Sequence, residues 1–126
     1  MTANTRTFGL TKCPECQIEF AKPARNTRYC STFCRKAFNN RRATRGAAIY
    51  DMLMTARYDR ERFQKLSDKH FEGKAWSSIL CDMAMMWRVE DTCADRDSSA
   101  WNDPQEWILD NAARLSSDIL VRGNSK

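Results

Sequence analysis

The sequence predicts a small cysteine-pinned module, a short β-hairpin plus a helix, followed by a mainly α-helical region of three helices. Three observations carry this reading. Four of the six cysteines crowd between positions 13 and 34. Beyond position 46, apolar residues recur at three- and four-residue intervals, the spacing of one helix face. Only four glycines and three prolines occur among 126 residues, so Gly-rich phosphate loops are excluded and few turns are available. The module is expected over residues 12–45 and the helical region over 46–126.

Residues 1–11 are polar and expected to be loose. Residues 12–30 are expected to form a knuckle and a hairpin, with Lys22-Pro23 in its turn region. The cysteine spacing is Cys13-Pro14-Glu15-Cys16, then 13 residues, then Cys30-Ser31-Thr32-Phe33-Cys34. Two residues between thiolates let one tight turn aim both sulfurs at a point. Three residues between thiolates place them one helical turn apart on the same face. No apolar stretch follows the charges of the N-terminal MTANTRTFGLTK, so the chain is expected in a reducing cytoplasm, where paired cysteines favour metal over disulfides. Cys13, Cys16, Cys30 and Cys34 fit one tetrahedral Zn²⁺. A closed Cys₄ shell leaves no position for water or substrate, so that zinc is structural. The same four residues could ligate an iron–sulfur cluster, which compact hairpin-to-helix sites hold less often. Cys81 and Cys93 are expected as small buried hydrophobes.

The segment from Cys13 to Arg45 resembles treble-clef zinc fingers of the FCS/MYM-like type. Their pattern is a C-x2-C knuckle, an aromatic shortly after it, and Tyr-Cys-Ser-x-x-Cys-Arg opening a basic helix. Here the aromatic is Phe20 and the second half is Tyr29-Cys30-Ser31-Thr32-Phe33-Cys34-Arg35. Gln17 stands where such fingers carry glycine after the second knuckle cysteine. The resemblance covers about a quarter of the chain and implies a treble clef with four cysteine ligands. It does not choose among DNA, RNA and protein as partner.

Ser31 is placed to cap a helix that carries Phe33, Ala37 and Phe38 towards the metal core and runs to about Ala43. Thr44-Arg45-Gly46 is either a break or a glycine tolerated inside a longer helix. From Ala47 to about Leu66, Ile49, Met52, Leu53, Ala56, Phe63 and Leu66 keep helical spacing. Residues 67–73 read as a connector. A further helix over about 74–94 carries Trp76, Ile79, Leu80, Met83, Met86 and Trp87, with Trp76, Met83, Met86 and Trp87 expected in the core rather than around a ligand. Asp95 to Asn102 is a polar loop. Asp103-Pro104-Gln105-Glu106 then opens a last helix, with a capping aspartate and proline at the first position. Trp107, Ile108, Ala112, Leu115, Ile119 and Leu120 are expected to continue it inward to Gly123.

Charge is divided between the halves. Residues 1–65 carry a balance of +9 and residues 66–126 one of −4, giving +5 overall. The positive excess is densest after the last metal ligand, in Arg35, Lys36, Asn39, Asn40, Arg41, Arg42 and Arg45. Arginine and asparagine are the residue types that contact phosphates and base edges, and a metal-pinned helix presents them rigidly. Arg57, Arg60, Arg62 and Lys65 extend that surface if both helices face the same way. Asp82, Glu90, Asp91, Asp95, Asp97 and Asp103 are expected as a solvated acidic surface, with Trp101 in the polar loop as a candidate anchor for a protein partner.

No apolar run reaches the roughly 20 residues of a membrane helix. His70 is the only histidine, so histidine-dependent catalysis and a second metal site lack residues, and no enzymatic activity is expected. The function expected is that of a zinc-stabilised nucleic-acid-binding regulatory protein, with DNA before RNA as target. The alternative is a small protein-interaction module that modulates a larger, nucleic-acid-processing protein.

Overall fold

The computed structural model describes residues 7–115. Two short strands, β1 (Leu10–Lys12) and β2 (Glu19–Ala21), form an antiparallel hairpin with Thr11 opposite Phe20. Residues 8 and 9 extend the pairing, through Phe8 N–H to Lys22 O (2.9 Å) and Lys22 N–H to Gly9 O (2.9 Å). The segment just before the first cysteine is therefore ordered by its ladder rather than loose. The knuckle itself closes this hairpin, and Lys22-Pro23 lies beyond β2 instead of in the turn. Cysteine geometry decides this: bringing Cys13 and Cys16 to one point already reverses the chain.

Helix α1 (Thr32–Tyr58) follows, 27 residues and about 40 Å long. Ser31 caps it as expected, its hydroxyl accepting from the Cys34 amide at 3.2 Å. Gly46 sits inside α1 without breaking it, so the expected module boundary at 45/46 falls within one continuous helix. The break comes at Asp59. Its amide closes α1 on Thr55 O (2.9 Å), and its carboxylate accepts from Arg62 N–H to start α2 (Arg60–His70). The expected connector over 67–73 thus shrinks, because α2 runs on to His70. Ser67 holds the turn that remains: fully buried, it donates to Lys74 O at 2.6 Å, and its carbonyl accepts from Phe71 and Gly73.

Helix α3 (Trp76–Cys93) packs back on α1, and α4 (Pro104–Asp110) begins where the Asp103 carboxylate caps Gln105 N–H at 2.9 Å. Trp107 and Ile108 are exposed rather than inward, and α4 is capped at Asn111, because no other element covers this face among the described residues; the expected continuation through Ile119, Leu120 and Gly123 lies outside them.

The helical core is small. Ala56 of α1, Phe63 of α2 and Ile79 of α3 meet in it, with Met52 and Met83 packed against them. Trp76 and Met86 do not join it, being 44% and 55% exposed, and Trp87 lines a cavity instead. Cys81 and Cys93 are exposed rather than buried. These corrections share a cause. Among the described residues α3 meets other elements mainly through α1, so only the narrow stripe containing Ile79 and Met83 is covered.

Candidate metal centre

The four sulfurs of Cys13, Cys16, Cys30 and Cys34 all lie within 4.8 Å of one another. Cys13 follows the first strand, Cys16 sits in the turn, Cys30 precedes the helix and Cys34 lies in its first turn. The Sγ atoms of Cys16 and Cys30 are 3.5 Å apart, and those of Cys30 and Cys34 are 3.7 Å apart. A tetrahedral ion with Zn–S bonds of about 2.3 Å has sulfur–sulfur edges of about 3.8 Å. The spacing therefore fits one metal ion, and it is far too long for disulfides: all four thiols are free.

The knuckle turn is built by Gln17 N–H to Cys13 O (2.7 Å) and Cys13 N–H to Ile18 O (3.0 Å). This turn requires Gln17 to adopt a left-handed φ of 63°, the conformation for which glycine is suited. The departure from the finger pattern thus leaves the turn intact and strains one residue. Gln17→Gly is expected to raise the unfolding midpoint of the metal-loaded protein, by up to about 1 kcal/mol, since relief of the left-handed strain exceeds the extra backbone entropy of glycine. An unchanged or lowered midpoint in a denaturant titration would refute that account.

Cys13 and Cys34 are buried, at 0% and 7% exposure. Burial pushes the Cys34 thiol up to about 12. Burial also opposes ionisation of Cys13, but the backbone amides of Cys30, Cys16 and Glu15 outweigh it and bring the thiol down to about 7. Such a donor set suits a cation, which replaces the thiol protons and neutralises the buried sulfurs.

Little else fills the interior of the module. Phe33 is 80% exposed, turned about 100° round α1 from Cys34, so of the three only Ala37 and Phe38 point inward as expected. Phe38 packs against Tyr29 with ring centroids 5.5 Å apart.

The inward stripe of α1 continues from Cys34 through Phe38 to Arg41 and Arg45, at steps of three and four residues. Arg41 makes a two-pronged contact with Glu15 of the knuckle, at 2.6 and 2.9 Å. Arg45 makes another with Asp91 of α3, at 2.8 and 2.9 Å, and reaches Glu90 at 3.0 Å. Arg96 also bonds Asp91, at 2.9 Å. Arg45 holds the Asp91 carboxyl below the usual carboxylate range against the opposing effect of burial, with Arg96 assisting. Arg41, Arg45, Arg96 and Asp91 are each no more than 18% exposed. The knuckle is further tied to the loop after α3 by Asp97 N–H to Pro14 O (2.8 Å) and Arg28 to Asn102 (2.8 Å).

The candidate nucleic-acid set is therefore divided three ways. Arg41 and Arg45 are engaged in internal ion pairs and are not displayed. Arg35, Asn39 and Arg42 share one exposed flank, while Lys36 and Asn40 lie exposed on another. Asp91 is correspondingly a half-buried acceptor hub rather than part of a solvated acidic surface. Trp101 is exposed as expected, at 67%. The role of Asp91 was missed from sequence, although opposite charge on the two halves was the signal that they could pair with each other.

No family model matches the chain, and comparisons with curated proteins and with solved structures give no match. Among the described residues, no helix is long and apolar enough to cross a membrane.

Proposed function

We propose that the protein is a zinc-stabilised, nucleic-acid-binding regulatory protein of the FCS/MYM-like treble-clef type, with DNA as its target. The four cysteines would hold one structural zinc, and the ion would fix the start of α1. The observation that carries the reading is the flank Arg35–Asn39–Arg42. These side chains stand at i, i+4 and i+7 on a metal-pinned helix, exposed, and neither arginine side chain makes a hydrogen bond or ion pair among the described residues. That is a row of donors at one side of a rigid rod, suited to a phosphate backbone. No catalytic role is assigned to it.

Replacing Arg35 and Arg42 together by alanine is expected to weaken DNA binding by about tenfold or more at low salt, and to flatten its salt dependence. Because both residues are exposed, the melting temperature should hold. Equal affinity in a titration of the folded double variant would remove the reading.

A second reading, a protein-interaction module, is favoured by α4, which buries no residue and leaves Trp107, Ile108 and Leu109 exposed at 61%, 50% and 66%. It would be supported by a partner retained after nuclease treatment and lost with Trp107→Ala. Retention of the same partner by that variant would exclude α4 as the dock.

A further inference from the structure

We infer that the cleft between α1, α3 and the 94–103 loop is a stacking pocket for an unpaired nucleobase, so that the preferred ligand is single-stranded nucleic acid. This rests on the nucleic-acid-binding reading and specifies its target.

The cleft has a volume of about 370 Å³, within the range of small-molecule sites. Trp101 lines it with an exposed ring, and Phe38 and Trp87 line it with Arg41 and Arg45 lying over their rings; Arg42 and Gly46 complete this wall. Sequence-tolerant binding of single strands combines aromatic faces with a cationic track along the backbone, and both are here. Arg35, Asn39, Arg42 and Gly46 follow one another at i, i+4, i+7 and i+11, so the exposed basic flank of α1 runs directly to the pocket. The carboxylates at the pocket wall do not oppose an anionic strand in full. Asp91 is held by Arg45 and Arg96, and Asp97 accepts from the Ser99 amide and hydroxyl at 2.9 and 2.7 Å. Arg42 is the lining cation whose side chain makes no hydrogen bond or ion pair among the described residues.

Gly46 supplies an independent observation. A glycine in the interior of a helix costs about 1 kcal/mol relative to alanine. Nothing inside the molecule requires it, since a Cβ built there meets no atom within 4 Å. Its φ is not in the left-handed range either, as α1 passes through it as regular helix. What the missing side chain does is leave the pocket wall open. The opposite wall is held in place by the metal module, through the Pro14–Asp97 and Arg28–Asn102 contacts, which position the loop bearing Trp101.

The test compares a fluorescent oligothymidylate with a duplex of equal length, titrated with zinc-loaded protein at low salt. Wild type is expected to prefer the single strand. Gly46→Leu projects into the pocket; its Cβ meets no atom within 4 Å and leucine is the better helix former, so the melting temperature should hold or rise. It is expected to lose about ten- to a hundredfold in single-strand affinity, as is Trp101→Ala, with duplex affinity unchanged. Arg35→Ala should weaken both ligands alike. Full single-strand affinity in folded Gly46→Leu, or a wild type that prefers duplex, overturns the pocket while leaving the wider reading standing. A wild type that binds neither ligand overturns both.

Discussion

Cys30→Ser is expected to abolish metal binding and unfold residues 7–31, whereas Cys81→Ser leaves the protein intact. Both cysteines are exposed, so neither substitution removes a buried side chain from a core. The two differ only in company: Cys30 has Sγ neighbours at 3.5 and 3.7 Å, and Cys81 belongs to no cluster among the described residues. The module has no hydrophobic interior to fall back on, with Phe8, Leu10, Ile18 and Phe33 all at least 45% exposed. Structural zinc contributes on the order of 10 kcal/mol to the folding of such small modules, and a three-sulfur shell should forfeit several kcal/mol of it. Native mass spectrometry is expected to find about one zinc per chain in wild type and Cys81→Ser, and none in Cys30→Ser. Amide exchange in the hairpin should become fast in the Cys30 variant alone. Retention of the ion by Cys30→Ser would show that the sulfurs cluster for another reason. Chelation of wild type should reproduce the Cys30→Ser result, because the loss runs through the ion.

The clustering of the four cysteines was legible because its determinants are local: two short cysteine spacings and a Ser31 cap need no knowledge of the rest of the chain. The start of α4 was legible for the same reason, with Asp103 and Pro104 acting on the next turn. What escaped were features decided by contacts distant in sequence. Arg41 and Arg45 look like the rest of the basic run in composition. Only the helical stripe they share with Cys34 and Phe38, and the arrival of Asp91 some 46 positions later, make them internal. Trp76 and Met86 kept helical spacing yet stayed exposed, because periodicity marks an apolar face without saying that anything covers it. Gly46 illustrates the converse. Whether a lone glycine breaks a helix depends on what flanks it, and here good helix formers, Ala47 and Ala48, carry α1 through.

Asp91→Asn is expected to destabilise the packing of α3 on α1 by about 2–3 kcal/mol, a large share of the stability of a molecule with so small a helical core. Asp91 is 14% exposed and receives Arg45 and Arg96, with Arg41 3.6 Å away. Asparagine preserves the shape but removes the charge: Arg41 keeps Glu15 and Arg45 keeps the more exposed Glu90, but the three half-buried guanidinium groups lose the carboxylate they share. The loss exceeds that of a surface pair because those cations cannot recover full hydration where they stand. Arg45 also lies over the Trp87 ring, 5.5 Å from its centroid, so the variant should change the Trp87 emission. The pH dependence has a definite sign. The folded-state pKa of Asp91 is lowered, chiefly by Arg45, so its contribution is complete above the unfolded value of about 3.9 and is lost as pH falls through the folded value. The stability gap between wild type and Asp91→Asn should therefore be constant near neutrality and close only in acid, below about pH 4. A double-mutant cycle of Asp91→Asn with Arg45→Gln isolates the pair, and a coupling near zero would mean that α1 and α3 are held by apolar contact alone. A substantial coupling makes Asp91 the link between the metal module and the helices, because Arg41 holds Glu15 of the knuckle while its Nε faces the same carboxylate.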